Sequence, residues 1–290
     1  MPHLVDKNHH RQHHKRHYNI MYRPFHHAIP DRAFRVCFLF LYCASKIFQV
    51  QRKMPFSKLI QGFSRFHSKY FLEKNKLYRT LAEKGQSPEV LMIACSDSRN
   101  DPALVTQSEP GDIFVVRNVA AIVPPYHPDD KYHGTSAAIE FAVKGLHVKD
   151  IVVMGHAQCG GIKALLDDAV ATQFEFLGNW IEIGRPAKDA VTTALSDAPT
   201  EIKQRALEQA VILISLNNLM TFPWVKEGVA AGSITLHGWY FDLEKGKMLS
   251  LDFVSGQFTD MTQTSLMESF IRKSHHHCTC SIETVVKNHQ

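Results

Sequence analysis

Six cysteines in 290 residues are too few to staple a secreted disulfide scaffold, and two of them stand in motifs that need free thiolates. A reducing compartment, the cytoplasm, is therefore expected. Long apolar runs are also missing. The candidate run, 36–50 (VCFLFLYCASKIFQV), falls short of the roughly 20 residues a spanning helix needs, and Lys46 interrupts it. It lacks the charged start and small-residue cleavage site of a signal peptide. Stable membrane insertion is not expected, and a targeting role for the leader is the weaker alternative. A basic surface is lacking as well. The formal charge is +5, yet residues 1–53 hold ten Lys/Arg against Asp6 and Asp31. Of the chain's 33 basic and 28 acidic residues, 23 and 26 remain beyond residue 53. The globular part is thus mildly acidic, with no electrostatic case for binding nucleic acid.

What is present divides the chain in three. Residues 1–53 mix eight histidines with Arg and Lys without helical or strand period, and read as a disordered or upstream extension. Residues 54–262, opening on MPFSKL, read as one compact domain, and 263–290 as a tail. His-rich runs hold metals, and the tail offers a second such tract in HHHCTC, with Cys278 and Cys280. Within the domain, 56–84 suits one or two amphipathic helices. Short apolar runs at 90–94 (VLMIA), 113–116 (IFVV) and 151–154 (IVVM) read as buried strands, with a helix over 135–146 between the last two. A long helix is expected over 201–220, stopped before Pro223. Two strands, 233–239 and 248–253, follow around a turn. The fold class is α/β: a mostly parallel central sheet flanked by helices, with an additional C-terminal antiparallel strand.

Two of the strand runs end in polar clusters, Cys95-Ser96-Asp97-Ser98-Arg99 and Gly155-His156-Ala157-Gln158-Cys159-Gly160-Gly161. Parallel α/β sheets bind ligands beyond the carboxyl ends of their strands, so this placement points to chemistry. Two thiolates and an imidazole make a borderline-soft set that suits zinc, and three protein ligands leave a fourth position for water. The His-x-x-Cys spacing lets one turn present both side chains, while Cys95 arrives from a neighbouring strand. Arg99, two residues beyond Asp97, is placed to hold that carboxylate ionised through a charge-assisted pair. A cysteine phosphatase needs five residues between its Cys and Arg; here three intervene, which counts against that reading.

Taken together, Cys95-x-Asp97-x-Arg99 and His156-x-x-Cys159 resemble the β-class carbonic anhydrases. The resemblance covers residues 56–258 and includes, in order, ACSDSRNDP, PGDIFVVRNVAAIVPP, GTSAAIEFAV, MGHAQCGGI and LHGWYFD. It implies an enzyme that reversibly hydrates CO2 to bicarbonate and a proton. Cys95, His156 and Cys159 would bind one Zn2+ per chain, with water or hydroxide in the fourth place. Asp97 would orient the hydroxide and Arg99 hold Asp97, while Gln86, Phe114, Val119 and Gly160 would line the substrate pocket.

In members that switch off, a Trp stands three residues before the first Cys. This chain has Met92 there, and Gln86 and Phe114 match the open, plant-like type instead. One departure concerns the proton. Plant-like members carry Tyr and His shuttles where this chain has Phe141 and Gly145, which hold no proton, so turnover is expected to depend on buffer. The resemblance further implies a homodimer or an oligomer of dimers, embraced by N-terminal helices, with the active cleft and Arg117-Asn118 at the subunit interface. Hydrolysis of CS2 or COS on the same scaffold is an alternative. So is a non-catalytic bicarbonate-binding subunit, against which the intact ligands and Asp–Arg pair count.

Overall fold

The computed structural model describes residues 56–72, 76–261 and 281–289. The expectations for residues 1–53, and for Cys278 and Cys280, lie outside these residues. The chain divides into two units, Met1–Lys69 and Tyr70–Gln290. In the first, helix α1 (56–67) carries Phe56, Leu59, Ile60 and Phe63 at the i, i+3, i+4, i+7 spacing of one helix face. Each of these side chains is more than half exposed.

The second unit is built on a six-stranded sheet in the order β2-β1-β3-β4-β5-β6. Strands β1 (Val90–Cys95), β2 (Ile113–Asn118), β3 (Asp150–His156) and β4 (Thr235–Asp242) pair in parallel. Strands β5 (Lys247–Leu251) and β6 (Phe258–Asp260) continue the sheet in antiparallel pairs. The mixed α/β sheet expected from the sequence is present, with one strand more: β6 is three residues long, too short to show a period. Burial explains the contrast between strands. β1 and β3 are covered on both faces and read as continuous apolar runs, whereas β4 alternates and buries Leu236, Gly238, Tyr240 and Asp242.

Helices α2 (Leu77–Lys84), α3 (Pro102–Thr106), α4 (Gly134–Glu140), α5 (Gly160–Leu166), α6 (Asp168–Ala171), α7 (Leu177–Ile181), α8 (Arg185–Ala194), α9 (Thr200–Leu219) and α10 (Pro223–Ala230) connect and cover the strands. The helix expected over 135–146 keeps α geometry only to Glu140 and runs on as a π turn, Phe141–Gly145. α9 buries 12 of its 20 residues, which accounts for its lack of a polar face. Among the described residues, no helix is long and apolar enough to cross a membrane.

Residues 281–289, read from the sequence as tail, carry a further helix, α11 (Ile282–Lys287). It packs on α8 and α9 with Val285 and Val286 fully buried. The signal is short but present: Ser281 caps the helix by accepting the Thr284 N–H, and Ile282, Val285 and Val286 share one face.

Beyond β4 the chain turns on a buried carboxylate. Asp242 is 2% exposed; its Oδ2 accepts from Arg205 Nη1 at 2.9 Å, and its Oδ1 accepts the Glu244 and Lys245 N–H groups. Burial alone would raise its pKa, but Arg205 and the turn N–H groups outweigh it and the net direction is down. A depressed folded value means stability that is present above the ordinary carboxylate range and lost as pH falls through the folded value. Asp242→Asn is therefore expected to cost about 1–3 kcal/mol at neutral pH, with the gap closing as pH falls below the ordinary carboxylate range. Urea melts of both proteins across that range check it.

Candidate metal centre

The chain runs from β1 to β2 on one side, then crosses back to place β3 on the other side of β1. The carboxyl ends of β1 and β3 therefore flank a topological switch point, where parallel sheets open a crevice. Cys95 is the last residue of β1 and His156 the last of β3, and Cys159 is the N-cap of α5. Gln158, between His156 and Cys159, has φ +56°, in the left-handed region. That single strained residue reverses the chain sharply enough for His156 and Cys159 to face the same point. Gly161 has a different role: a Cβ there would lie 2.6 Å from Val119 Cγ1, so only glycine lets α5 start against the 119–121 turn.

The potential ligand atoms of Cys95, His156 and Cys159 all lie within 4.8 Å of one another, and all three residues are buried. The two sulfurs are 3.8 Å apart. His156 donates from Nδ1 to its neighbour's carbonyl, Ala157 O, at 2.8 Å, which leaves Nε2 as the lone-pair nitrogen. That Nε2 is buried and has no hydrogen-bond partner. An orphaned imidazole nitrogen beside two thiol sulfurs is the donor set of a metal, and one nitrogen with two sulfurs fits zinc. Hydrogen bonding from Cys159 and from the Asp97 N–H, working against burial, pulls the Cys95 thiol down. The same S–H···S contact and burial push Cys159 up. Burial disfavours a charged His156, but the Cys95 thiolate outweighs it and its pKa rises.

Asp97 stands beside the cluster, its Oδ2 4.0 Å from His156 Nε2. Arg99 grips it with both prongs of the guanidinium, Nε to Oδ1 at 3.0 Å and Nη2 to Oδ2 at 2.8 Å, and with its own backbone N–H at 2.9 Å. The Arg99 bonds hold this carboxyl well below the usual carboxylate range. Arg117 has a part the sequence did not reveal. Its guanidinium donates to the carbonyls of Cys95 and Asp97 and to Asp101 Oδ2, at 3.0, 2.7 and 2.9 Å, clamping the loop that carries Asp97. Glu208 was missed too. A lone acid among the apolar residues of α9, it accepts the Cys159 N–H at 3.0 Å. An acidic residue at a position that helical period assigns to the core was the available signal.

The predicted pocket residues fall into two groups. Gly160 adjoins Cys159, and Val119 lies against Gly161, both at the cluster end of the sheet. Val119 also lines a groove of about 650 Å³ with Asn118, His133, Phe176 and Trp180, whose indole N–H donates to Val119 O at 2.8 Å. Phe114 and Gln86 are not brought to this end. Phe114 is level with Leu91, four rows before the Cys95–Asn118 row, roughly 13 Å back along the strands. There its ring lies 5.8 Å from that of Phe141. Gln86 is exposed and precedes the start of β1, whose six residues span roughly 17 Å before Cys95.

Comparison with known proteins bears on this geometry. The carbonic anhydrase family model matches residues 90–248. A carbonic anhydrase of Pseudomonas aeruginosa is 38% identical over 205 residues, covering 71% of this chain and 91% of that protein. Among solved structures, the β-carbonic anhydrase CcaA superposes with a TM-score of 0.67 at 35% identity, over 71% of this chain and 98% of its own. One of two tetrameric β-carbonic anhydrases from the ascomycete Sordaria macrospora superposes with a TM-score of 0.56 at 28% identity, over 73% and 98%.

Proposed function

The chain belongs to the β-class carbonic anhydrases, and from that premise we propose that it hydrates CO2 reversibly to bicarbonate and a proton at a zinc ion held by Cys95, His156 and Cys159. The observation that carries the reading is the buried, partnerless Nε2 of His156 in a group whose potential ligand atoms, two of them sulfurs, lie within 4.8 Å of one another. Zinc in such a site supplies Lewis acidity, lowering the pKa of a bound water to about 7.

The chain's own residues supply the rest. Asp97, kept ionised by Arg99, is a hydrogen-bond acceptor at the open side of the ligand cluster and orients the attacking oxygen. Arg117 fixes the loop that presents it. Val119 and Gly160 offer CO2 an apolar, sterically open approach. Phe114 and Gln86 lie too far along the sheet to join this pocket within one chain, so they complete it from a second copy. The exposed stripe of α1 and the tetrameric relatives support such an assembly. Met92, Gln86 and Phe114 favour the open type, in which Asp97 stays off the metal.

Stopped-flow CO2 hydration with the zinc-loaded chain at pH 7 and 8.5 tests this. Rapid hydration is expected at both, with a rate that rises with buffer concentration, since Phe141 and Gly145 hold no proton. Activity confined to pH 8.5 would move the chain to the switching type. One zinc per chain with no hydration at either pH would leave CS2 or COS hydrolysis as the reading to pursue.

A further inference from the structure

One buried side chain reaches the cluster from a helix that carries no ligand. Glu208, near the middle of α9, is 4% exposed. Its Oε1 accepts the backbone N–H of Cys159 and the amide of Gln204, each at 3.0 Å, and its Oε2 accepts the hydroxyl of Tyr240 at 2.7 Å. Tyr240 is itself fully buried in β4. Three donors from three places in the fold thus converge on one carboxylate. Burial drives the Glu208 pKa up, and the three hydrogen bonds oppose it. A carboxylate is rarely kept in an apolar interior unless its oxygens are paired in this way.

The backbone shows what the pairing accomplishes. Cys159 follows the left-handed Gln158 and caps α5, so its own N–H belongs to no helical or strand ladder. A buried N–H in that position needs an acceptor, and Glu208 is the one it has. Gly155 makes the approach possible. A Cβ there would lie 2.8 Å from Ile212 Cδ1, one helical turn beyond Glu208, and would press α9 away from β3.

We propose that Glu208 is a positioning residue of the metal centre: through the Cys159 N–H it holds that cysteine's sulfur in ligating position, with Tyr240 and Gln204 fixing the carboxylate. The inference rests on the metal reading above. Glu208 touches neither metal nor substrate and acts through Cys159, as residues behind metal ligands commonly do.

The test is zinc release to excess chromogenic chelator from the zinc-loaded wild type, Glu208→Gln, Glu208→Ala and Tyr240→Phe, with circular dichroism and Tm for each. Glutamine keeps an oxygen for the Cys159 N–H; alanine removes it. Release is expected to be about 10- to 100-fold faster from Glu208→Ala and within about threefold of wild type for Glu208→Gln. Tyr240→Phe, which strips Oε2 of its donor, is expected to release severalfold faster. A lowered Tm with wild-type release from folded Glu208→Ala would show a merely structural residue and overturn the proposal. Glu208→Gln releasing as fast as Glu208→Ala would overturn it too. If Glu208→Ala does not fold, Tyr240→Phe decides, and wild-type release from it counts against the proposal. A wild type that takes up no zinc removes the metal reading and this inference with it. A zinc-loaded wild type with unaffected variants removes this inference alone.

Discussion

Cys95→Ser is expected to empty the site of zinc and to lower CO2 hydration by about 10³-fold or more, while the chain stays folded. The substitution changes one atom at the end of β1, in a position 4% exposed, so the packing around it is nearly preserved. What changes is acidity. Neighbouring hydrogen bonds pull the Cys95 thiol toward its ionised form, and a thiolate ligates zinc, whereas a serine hydroxyl stays protonated and is a poor ligand. Two ligands remain, and Lewis acidity worth several kcal/mol goes with the ion. Zinc per chain by elemental analysis, circular dichroism and stopped-flow hydration check the three parts separately. A folded variant with one zinc per chain and wild-type turnover would remove Cys95 from the ligand set.

Asp97→Asn is expected to separate binding from turnover. Zinc should remain at one per chain, while kcat falls by about 10²- to 10³-fold, in the range that mutagenesis assigns to positioned proton acceptors and charge-stabilising groups. The carboxylate takes three hydrogen bonds from Arg99 and still turns Oδ2 toward the ligand cluster. An asparagine offers one oxygen and an NH2 group. Arg99 then either loses half its grip or turns the amide donor toward the cluster, and both outcomes remove the acceptor that orients the attacking oxygen. The contrast with Cys95→Ser is the informative part: one variant loses the metal, the other keeps the metal and loses the use of it. Loss of zinc from Asp97→Asn would instead make Asp97 a ligand or part of the ligands' support.

Much of this centre is legible in the sequence. An apolar run followed at once by a polar cluster states both the strand and which end of it carries chemistry, and β1 and β3 each say so within ten residues. His156 and Cys159 lie on one turn, so their convergence is a local matter of spacing. Asp97 and Arg99 are two residues apart for the same reason. The helices were equally plain where they were long, as in α9. They were obscure where short: α11 has three apolar residues and a cap, too little to stand out from a tail until Val285 and Val286 are seen buried.

The remaining features depend on which strands are neighbours, and periodicity carries no information about that. Glu208 meets Cys159 across 49 residues of sequence, and Tyr240 meets Glu208 across 32. Arg117 clamps the Asp97 loop only because β2 pairs with β1 in the register that sets Asn118 beside Cys95. Likewise, Phe114 and Gln86 share the cluster's sequence neighbourhood but lie back along the strands, because a parallel strand carries its residues steadily away from the end where ligands gather. The sequence by itself determined the two polar clusters that hold Cys95, Asp97, Arg99, His156 and Cys159 and the sheet that presents them, since each cluster is written in contiguous residues. Only the tertiary structure decided that Glu208 meets Cys159 from behind and that Phe114 lies four rows back from Cys95. Those contacts are long in sequence and follow from the strand order.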